Sequence, residues 1–308
     1  MILALFLMNS ILMLIFSLIS VAFLTLFERK ILSFSQIRLG PNKVGFNGNF
    51  QPFSDAIKLY TKEYNKPSFS NYYLFYMFPS LMLVFSFLTW MSMPFFKMII
   101  YLNFTLMFFI SILGFSVYST MFMGWSSNSN YSNLGSIRSV AQTISYEISL
   151  LFIILTLFLF NKNFNFYWLS FSQFYSWNLL FLPVFFMWII SCLAELNRTP
   201  FDLSEAESEL VSGFNTEFSG GKFAIIFMSE YLMIIIMSML TCSFFLGCNF
   251  YNIFFFFNSS MIMFIIIWSR ATLPRMRYDK LMELTWKNFL PSSLILMWLF
   301  FIIFFLNL

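Results

Sequence analysis

The chain opens with an uncharged apolar run, ILALFLMNSILMLIFSLISVAFLTLF, at residues 2–27. A helix needs about 20 mostly apolar residues to cross the hydrocarbon core of a bilayer. This run is therefore long enough to span a membrane, and seven further apolar runs follow it. The eight predicted spans cover residues 2–27, 71–92, 98–120, 138–160, 177–195, 223–247, 252–270 and 288–307.

The composition agrees with a lipid environment, because 60% of the residues are hydrophobic and 10% are charged. A soluble domain carries about 25% charged residues. We predict an all-α integral membrane protein, one polytopic domain over residues 1–308 with a bundle of about eight transmembrane helices. The net charge of +4 is scattered, which argues against nucleic-acid binding. The chain has no histidine, and its three cysteines share no metal-binding spacing, so no metal site is expected.

Basic residues concentrate on one side of the predicted membrane. If successive spans alternate in direction, all of the 17 lysines and arginines except Lys97 and Lys162 fall on the side reached after the first span. The positive-inside rule makes this side the cytoplasmic side or, for a mitochondrial chain, the matrix side, and it places both termini on the opposite side, which is then the intermembrane space. None of the 13 acidic residues falls in a loop of the opposite side. This asymmetry indicates that the matrix face carries the chemistry.

The first matrix-side loop contains a predicted surface helix. Pro52 suits a first helical turn. Phe53, Ala56, Ile57 and Tyr60 then follow the spacing of one helical face. We expect this amphipathic helix to lie in the plane of the membrane surface, with its apolar stripe against lipid or the bundle.

Acidic residues inside or at the ends of spans are the first candidates for chemistry, since ionisable groups in a bilayer are costly. Glu147 lies nine residues beyond Arg138, which is about 13 Å along a helix and near the bilayer midplane. Glu230 lies inside the sixth span, and Glu195 closes the fifth. Such groups indicate proton handling or a polar cavity. A protonated glutamate between helices, or a plain Glu195–Arg198 ion pair, is the structural alternative.

A densely acidic loop follows the fifth span. It carries Asp202, Glu205, Glu207, Glu209 and Glu217. Repulsion among carboxylates in a partly dry site favours proton uptake or release, and this suits coupling to a nearby redox event. A solvated acidic loop is the alternative interpretation.

Several long motifs resemble one family. They are ERK (28–30), RLGPNKVG (38–45), QPFSDAIKL (51–59), GSIRSVAQTISYE (135–147), AELNRTPFDLSEAESELVSGFN (194–215), PRMRYDKL (274–281) and WKNFLP (286–291). On these motifs the chain resembles the chain 1 family of mitochondrial NADH–ubiquinone oxidoreductase, respiratory complex I. Leu196 and Ala206 depart from the family pattern, where Thr and Gly are expected.

The resemblance implies a subunit that forms the tunnel through which ubiquinone enters from the bilayer. It assigns to the tunnel mouth Arg29, Arg38, Phe53 and Asp55. It assigns to the inner tunnel Arg138, Glu195, Arg198, Asp202, Glu205, Glu207, Glu209, Phe214 and Arg277. It assigns to an acidic route toward the pumping subunits Glu147, Glu217 and Glu230. The carboxylates among these residues are expected to couple quinone reduction to proton translocation.

The resemblance also implies where the other components lie. Ubiquinone is the expected substrate, while NADH, FMN and the iron–sulfur clusters are expected only in partner subunits. Expected partners are the membrane-arm subunits, the peripheral subunits of the quinone module and membrane lipids, in the mitochondrial inner membrane. A stand-alone proton-coupled transporter and the membrane subunit of an energy-converting hydrogenase are alternatives. A transporter usually shows two related halves, and none are visible in this sequence.

Overall fold

A computed structural model of the chain describes residues 2–95, 103–161, 163–172, 181–204, 212–247 and 249–306. These residues form helices and connecting turns, with no strand among them. The helices are α1 (Ile2–Ser35), α2 (Gln51–Thr61), α3 (Tyr72–Met91), α4 (Thr105–Ser127), α5 (Asn130–Asn161), α6 (Phe166–Ser172), α7 (Leu182–Glu195), α8 (Gly220–Phe245), α9 (Ile253–Thr272), α10 (Tyr278–Glu283) and α11 (Leu290–Leu306). Short 3₁₀ turns lie at Phe46–Gly48 and Gly213–Asn215, and a π-helical turn at Leu284–Phe289 joins α10 to α11.

Seven helical stretches in the described part of the chain are long and apolar enough to cross a membrane. They are α1, α3, α4, α5, α8, α9 and the continuous stretch from α10 into α11. The fifth predicted span contains the shorter apolar helix α7, and the start of that span lies in residues 173–180, outside the described residues. Each predicted span thus overlaps a helix, and the prediction of an all-α membrane protein is confirmed.

Helices α1 and α5 are among those that extend beyond the predicted spans, on the side that carries most of the basic residues. Helix α1 continues past residue 27 to Ser35, and α5 begins at Asn130 rather than at residue 138. Charged residues end an apolar run but do not end a helix, because the backbone hydrogen bonds continue wherever no breaker intervenes. Glu28 and Arg138 are therefore held on rigid helices that project from the hydrocarbon region.

The predicted surface helix is present as α2, which packs against α1 and α8. Pro52 is buried in its first turn, and the half-buried Asp55 follows on the same face. Phe53 and Ile57 lie on the other side, where about half of each side chain is exposed. Two members of the predicted apolar stripe, Phe53 and Ile57, therefore face mainly away from the bundle, as expected for a helix that rests in lipid. The other two, Ala56 and Tyr60, lie toward α1 and α8.

Helices α5 and α8 are the most deeply buried of the spanning helices. Small residues let the neighbouring segments approach α5 closely, as is usual for helices in membranes. A Cβ atom added to Gly135 would lie 2.8 Å from the backbone of Gly213 and Phe214. The absence of a side chain at Gly135 therefore allows the 213–215 turn to sit directly on α5.

Candidate functional site

Two neighbouring cavities define the candidate site. The larger one, which we call the charged cavity, has a volume of about 420 Å³ and lies among α1, α2, α8 and α9. The smaller one, which we call the polar cavity, has a volume of about 60 Å³ and lies among α3, α4, α5, α8 and the end of α7. The helices bring together at these cavities acidic residues that are far apart in the sequence.

A buried carboxylate, Glu28, forms the polar centre of the charged cavity. Tyr231 donates a hydrogen bond from its hydroxyl to Glu28 Oε2 over 2.6 Å, and Arg270 forms an ion pair with Oε1. Arg198 Nη1 lies 3.6 Å from the same Oε1 atom. The Arg198 guanidinium also lies 4.8 Å from the centre of the Tyr231 ring. One carboxylate is thus surrounded by two guanidinium groups and a phenol, so this buried cluster carries a net positive charge.

The rim of the charged cavity is closed by an ion pair between α1 and α2. Arg29 pairs with Asp55 Oδ2, and Gln51 donates from its side-chain amide to Asp55 Oδ1 over 3.1 Å. Arg29 and Asp55, both predicted at a tunnel mouth, therefore line this cavity. The other two predicted mouth residues are described but do not line it. Phe53 packs edge-on against Phe23, and the exposed Arg38 donates to Gln36 Oε1.

The segment after α7 is fixed to the rest of the bundle by buried hydrogen bonds. Gln142 on α5 donates from its side-chain amide to the carbonyl oxygens of Ala194 and Phe201, over 2.8 and 2.7 Å. Asp202 is buried and pairs with Arg275 Nη2 at 3.3 Å. Glu205, Glu207 and Glu209 were predicted in the same acidic loop, and they lie outside the described residues.

The polar cavity contains two of the predicted acidic residues, Glu195 and Glu230. Six hydroxyl groups share its wall: Ser86, Thr89, Ser116, Thr120, Thr143 and Ser229. Each of these donates its proton to a carbonyl of its own helix, so its oxygen remains an acceptor toward the cavity. A water molecule needs roughly 10–15 Å³ of such space, and the cavity therefore has room for a few waters beside the two carboxyl groups.

Glu147 lies one helical turn from this cavity. Thr143, four residues earlier on α5, lines the cavity, and residues four apart lie on the same helix face. A Cβ atom added to Gly114 of α4 would lie 3.1 Å from Glu147 Oε1, so the carboxyl group faces the α4 backbone. Helix α5 also packs against α7, which ends at Glu195. Glu147 thus lies close to the cavity that Glu195 and Glu230 line.

The remaining predicted residues occupy different places. Phe214 is buried and lines the polar cavity instead of the charged one. Arg138 and Glu217 are half-buried and line neither cavity. Arg277 is largely exposed and pairs with Asp279 at 2.9 Å. Within the described residues, no cluster of His, Cys, Asp and Glu side chains is arranged to hold a metal ion.

The sequence indicated Glu28 as an acid at the end of the first span and Arg270 as a counter-ion of the acidic loop, but it assigned neither of them, nor Tyr231, to the quinone tunnel, although they form the polar centre of the charged cavity. The position of Glu28 in the ERK motif at the end of the first span was the available signal. Its pairing with Arg270, 242 residues later, depends on how α1 and α9 pack and has no local signature.

Comparison with known proteins agrees with this architecture. A family model described as NADH dehydrogenase matches residues 8–302. NADH-ubiquinone oxidoreductase chain 1 of Aedes aegypti is 54% identical over 289 residues, which cover 94% of this chain and 92% of the relative. Relatives of the same name are 52% identical in Locusta migratoria and 48% identical in Hylobates lar, covering 94% of this chain and 92% and 94% of the relatives. The family resemblance inferred from the matrix-side motifs is thereby confirmed, and the chain belongs to the NADH dehydrogenase family, together with chain 1 of NADH-ubiquinone oxidoreductase.

Proposed function

We propose that this chain, as a chain 1 subunit of NADH–ubiquinone oxidoreductase, leads ubiquinone in from the bilayer and couples its reduction to proton translocation. The arrangement of the two cavities carries the proposal. On α8, Glu230 lines the polar cavity while the next residue, Tyr231, bonds to Glu28 in the charged cavity. At the end of α7, Glu195 lines the polar cavity while Arg198 contacts Glu28. Two short segments thus connect both cavities directly.

The charged cavity suits a molecule with a polar head and a long apolar tail. Much of its wall is apolar: Leu18, Val21, Ala22, Phe223, Phe227 and Met228. Its charged groups are few: Glu28, Arg29, Asp55 and Arg270. Ligand sites of this kind typically have volumes of about 300–1,000 Å³ and a few placed polar groups. A ubiquinone tail would contact the apolar wall, and the ionic groups would meet its polar head.

Competition between the reduced quinone and Glu28 for the two arginines would link the two cavities. Reduction of ubiquinone to ubiquinol adds two electrons and takes up two protons, so negative charge develops on the quinone oxygens before the protons arrive. That charge would attract Arg198 and Arg270, which otherwise neutralise Glu28. Arg198 lies three residues after Glu195, so its displacement would change the surroundings of Glu195 in the polar cavity. Glu195, Glu230 and Glu147 would then exchange protons through the waters that the cavity admits.

The electrons would come from flavin and iron–sulfur clusters in partner subunits that oxidise NADH, because this chain has no cysteine set with cluster spacing. Other membrane-arm subunits, the peripheral quinone module and lipids are the proposed neighbours. With its apolar helices, the chain is a multi-pass protein of the inner membrane. The charge distribution supports a matrix-facing charged cavity and termini in the intermembrane space. The names of the relatives support this role over the transporter and hydrogenase alternatives.

Filling the charged cavity tests the proposed tunnel. Ala22→Phe adds a ring to the apolar wall, while Ala271→Phe adds the same ring at an exposed position outside the cavity. We expect Ala22→Phe to raise the KM for long-tailed ubiquinone about tenfold, with a smaller effect on a short-tailed analogue, since tail contacts are lost. Steady-state NADH:quinone kinetics in the assembled complex would measure this. Equal KM values in both variants and the native complex would show that the tail does not pass through this cavity.

A further inference from the structure

Lys222 is a buried cation that the quinone and proton sites do not use. It lies in the first turn of α8 and is 5% exposed, and its Nζ has no hydrogen-bond partner among the described residues. The ammonium group lies 3.1 Å from the ring centre of Tyr76 and 4.0 Å from that of Phe75. A cation at the start of a helix opposes the helix dipole, so this placement calls for a nearby negative charge.

A second cation lies beside the first. Lys66 Nζ is 4.9 Å from the ring centre of Tyr72, and the Tyr72 and Tyr76 rings are 4.6 Å apart. Lys66 is close enough to Lys222 for the two ammonium groups to repel. Within the described residues, no carboxylate forms a salt bridge with either lysine. Two cations therefore share one small region, and neither is salt-bridged to a carboxylate in the part of the chain that the structure describes.

Further hydrogen-bond donors converge at the same place. The Tyr64 hydroxyl lies against the first turn of α8, 3.1 Å from the position of a Cβ built on Gly221. Ser219 precedes that turn and makes no side-chain cap, because its Oγ accepts the Asn65 N–H at 3.1 Å. The N-terminal N–H groups of α8, the phenol and the two ammonium groups together have the chemistry of an anion site.

The depth of this cluster in the membrane indicates which anion it binds. Helices α3 and α8 both begin here, on the matrix side by the distribution of basic residues, and aromatic residues such as Tyr72 and Tyr73 mark the membrane surface. Along α3, the exposed Tyr73, Met77 and Val84 form a stripe that continues from the cluster toward the bilayer interior. A phosphate above an apolar stripe is the arrangement of a membrane lipid.

We propose that Lys66, Lys222 and Tyr64 bind the phosphate of an anionic phospholipid in the matrix leaflet, with its acyl chains along the exposed stripe of α3. Basic pockets between membrane helices on this side are suited to such head groups. The bound phosphate, with its single negative charge, lies between the two lysines and joins the start of α3 to the start of α8. This site is distinct from both cavities and does not depend on the function proposed for them.

Lipid binding by the intact complex tests the site. Complexes carrying Lys222→Met, Lys222→Arg or the control Lys58→Met, an exposed lysine on α2, would be stripped of lipid and titrated with phosphatidylglycerol. Lys222→Met should weaken the tightest binding step about fivefold, while Lys222→Arg and Lys58→Met leave it unchanged. Lys66→Met, at an exposed position, provides the same test if Lys222→Met does not assemble.

Three results would overturn the proposal. Equal phosphatidylglycerol binding by the native complex, Lys222→Met and Lys66→Met would show that no such site exists. Displacement of the bound lipid by millimolar inorganic phosphate would show a site for free phosphate instead. Loss of a partner subunit from Lys222→Met, with lipid binding unchanged, would show that the lysine meets a protein carboxylate.

Discussion

The two cavities hold their carboxyl groups in opposite ways. In the charged cavity, Glu28 is surrounded by Arg198, Arg270 and the Tyr231 hydroxyl. In the polar cavity, Glu195 and Glu230 face hydroxyl groups, and the described side chains that line it include no lysine or arginine. The first arrangement neutralises a charge in place. The second places carboxyl groups among acceptor oxygens, which favour the protonated form, together with space for water, which bonds to either protonation state.

Under the proposed function, the two arrangements serve two tasks, response to a new charge and proton exchange, and the same segments contribute to both. An ion cluster such as Glu28 with its two arginines responds when a new negative charge develops beside it. The reason is that the arginines then interact with both Glu28 and the new charge. A hydrated carboxyl pair exchanges protons with little change in its surroundings. Helix α8 lines both cavities, and Arg198, three residues after the polar-cavity residue Glu195, contacts Glu28. Under the proposed function, a change in one cavity would therefore be passed to the other.

The largest expected effect comes from removing the centre of the charged cavity. Glu28→Gln would leave Arg198 and Arg270 without their shared carboxylate, and breaking such a buried ion cluster typically costs about 3–5 kcal/mol. We expect little assembled complex to accumulate, as measured by native electrophoresis and thermal unfolding. The control is Glu283→Gln, which removes an exposed carboxylate paired with Lys287 and should leave assembly unchanged. Normal assembly of Glu28→Gln would show that the cluster does not stabilise the bundle.

The comparison also shows which features of the fold and the site can be predicted from the sequence. Long apolar runs, the surface helix and the family motifs are local patterns, so the spans and α2 could be predicted before any contact was known. The direction in which an individual side chain points could not be predicted from these patterns. Phe53 and Asp55 lie two residues apart on α2, yet only Asp55 reaches the charged cavity, because it is on the same helix face as the buried Pro52.

The same limit explains why the centre of the site was missed. Glu230 was predicted as an intramembrane acid, whereas Tyr231 carried no charge to attract attention. Successive residues on a helix point about 100° apart, so the two side chains enter different cavities. Which cavity each one meets depends on the rotation of α8 against α1 and α3, and this is set by long-range packing rather than by local sequence.

A smaller effect is expected from a single hydroxyl of the polar cavity. Thr120→Val removes one acceptor from the wall at nearly constant volume and should slow coupled turnover about threefold, roughly the worth of one hydrogen bond. Thr241→Val is the matched control, since Thr241 is buried and bonds to its own helix but does not line the cavity. The rate of coupled NADH oxidation in sealed vesicles, measured for both variants, would check this prediction. Equal slowing in both variants would assign the effect to helix packing instead of the cavity.

The most direct measurement is the number of protons translocated per NADH oxidised by sealed vesicles that carry Glu230→Gln. The exposed Glu63→Gln is the control, and inhibitor binding at the quinone site is measured in parallel. If the polar cavity couples to the charged one, Glu230→Gln lowers coupled proton translocation about tenfold or more while inhibitor binding is retained. Native proton translocation in Glu230→Gln would contradict the coupling of the two cavities.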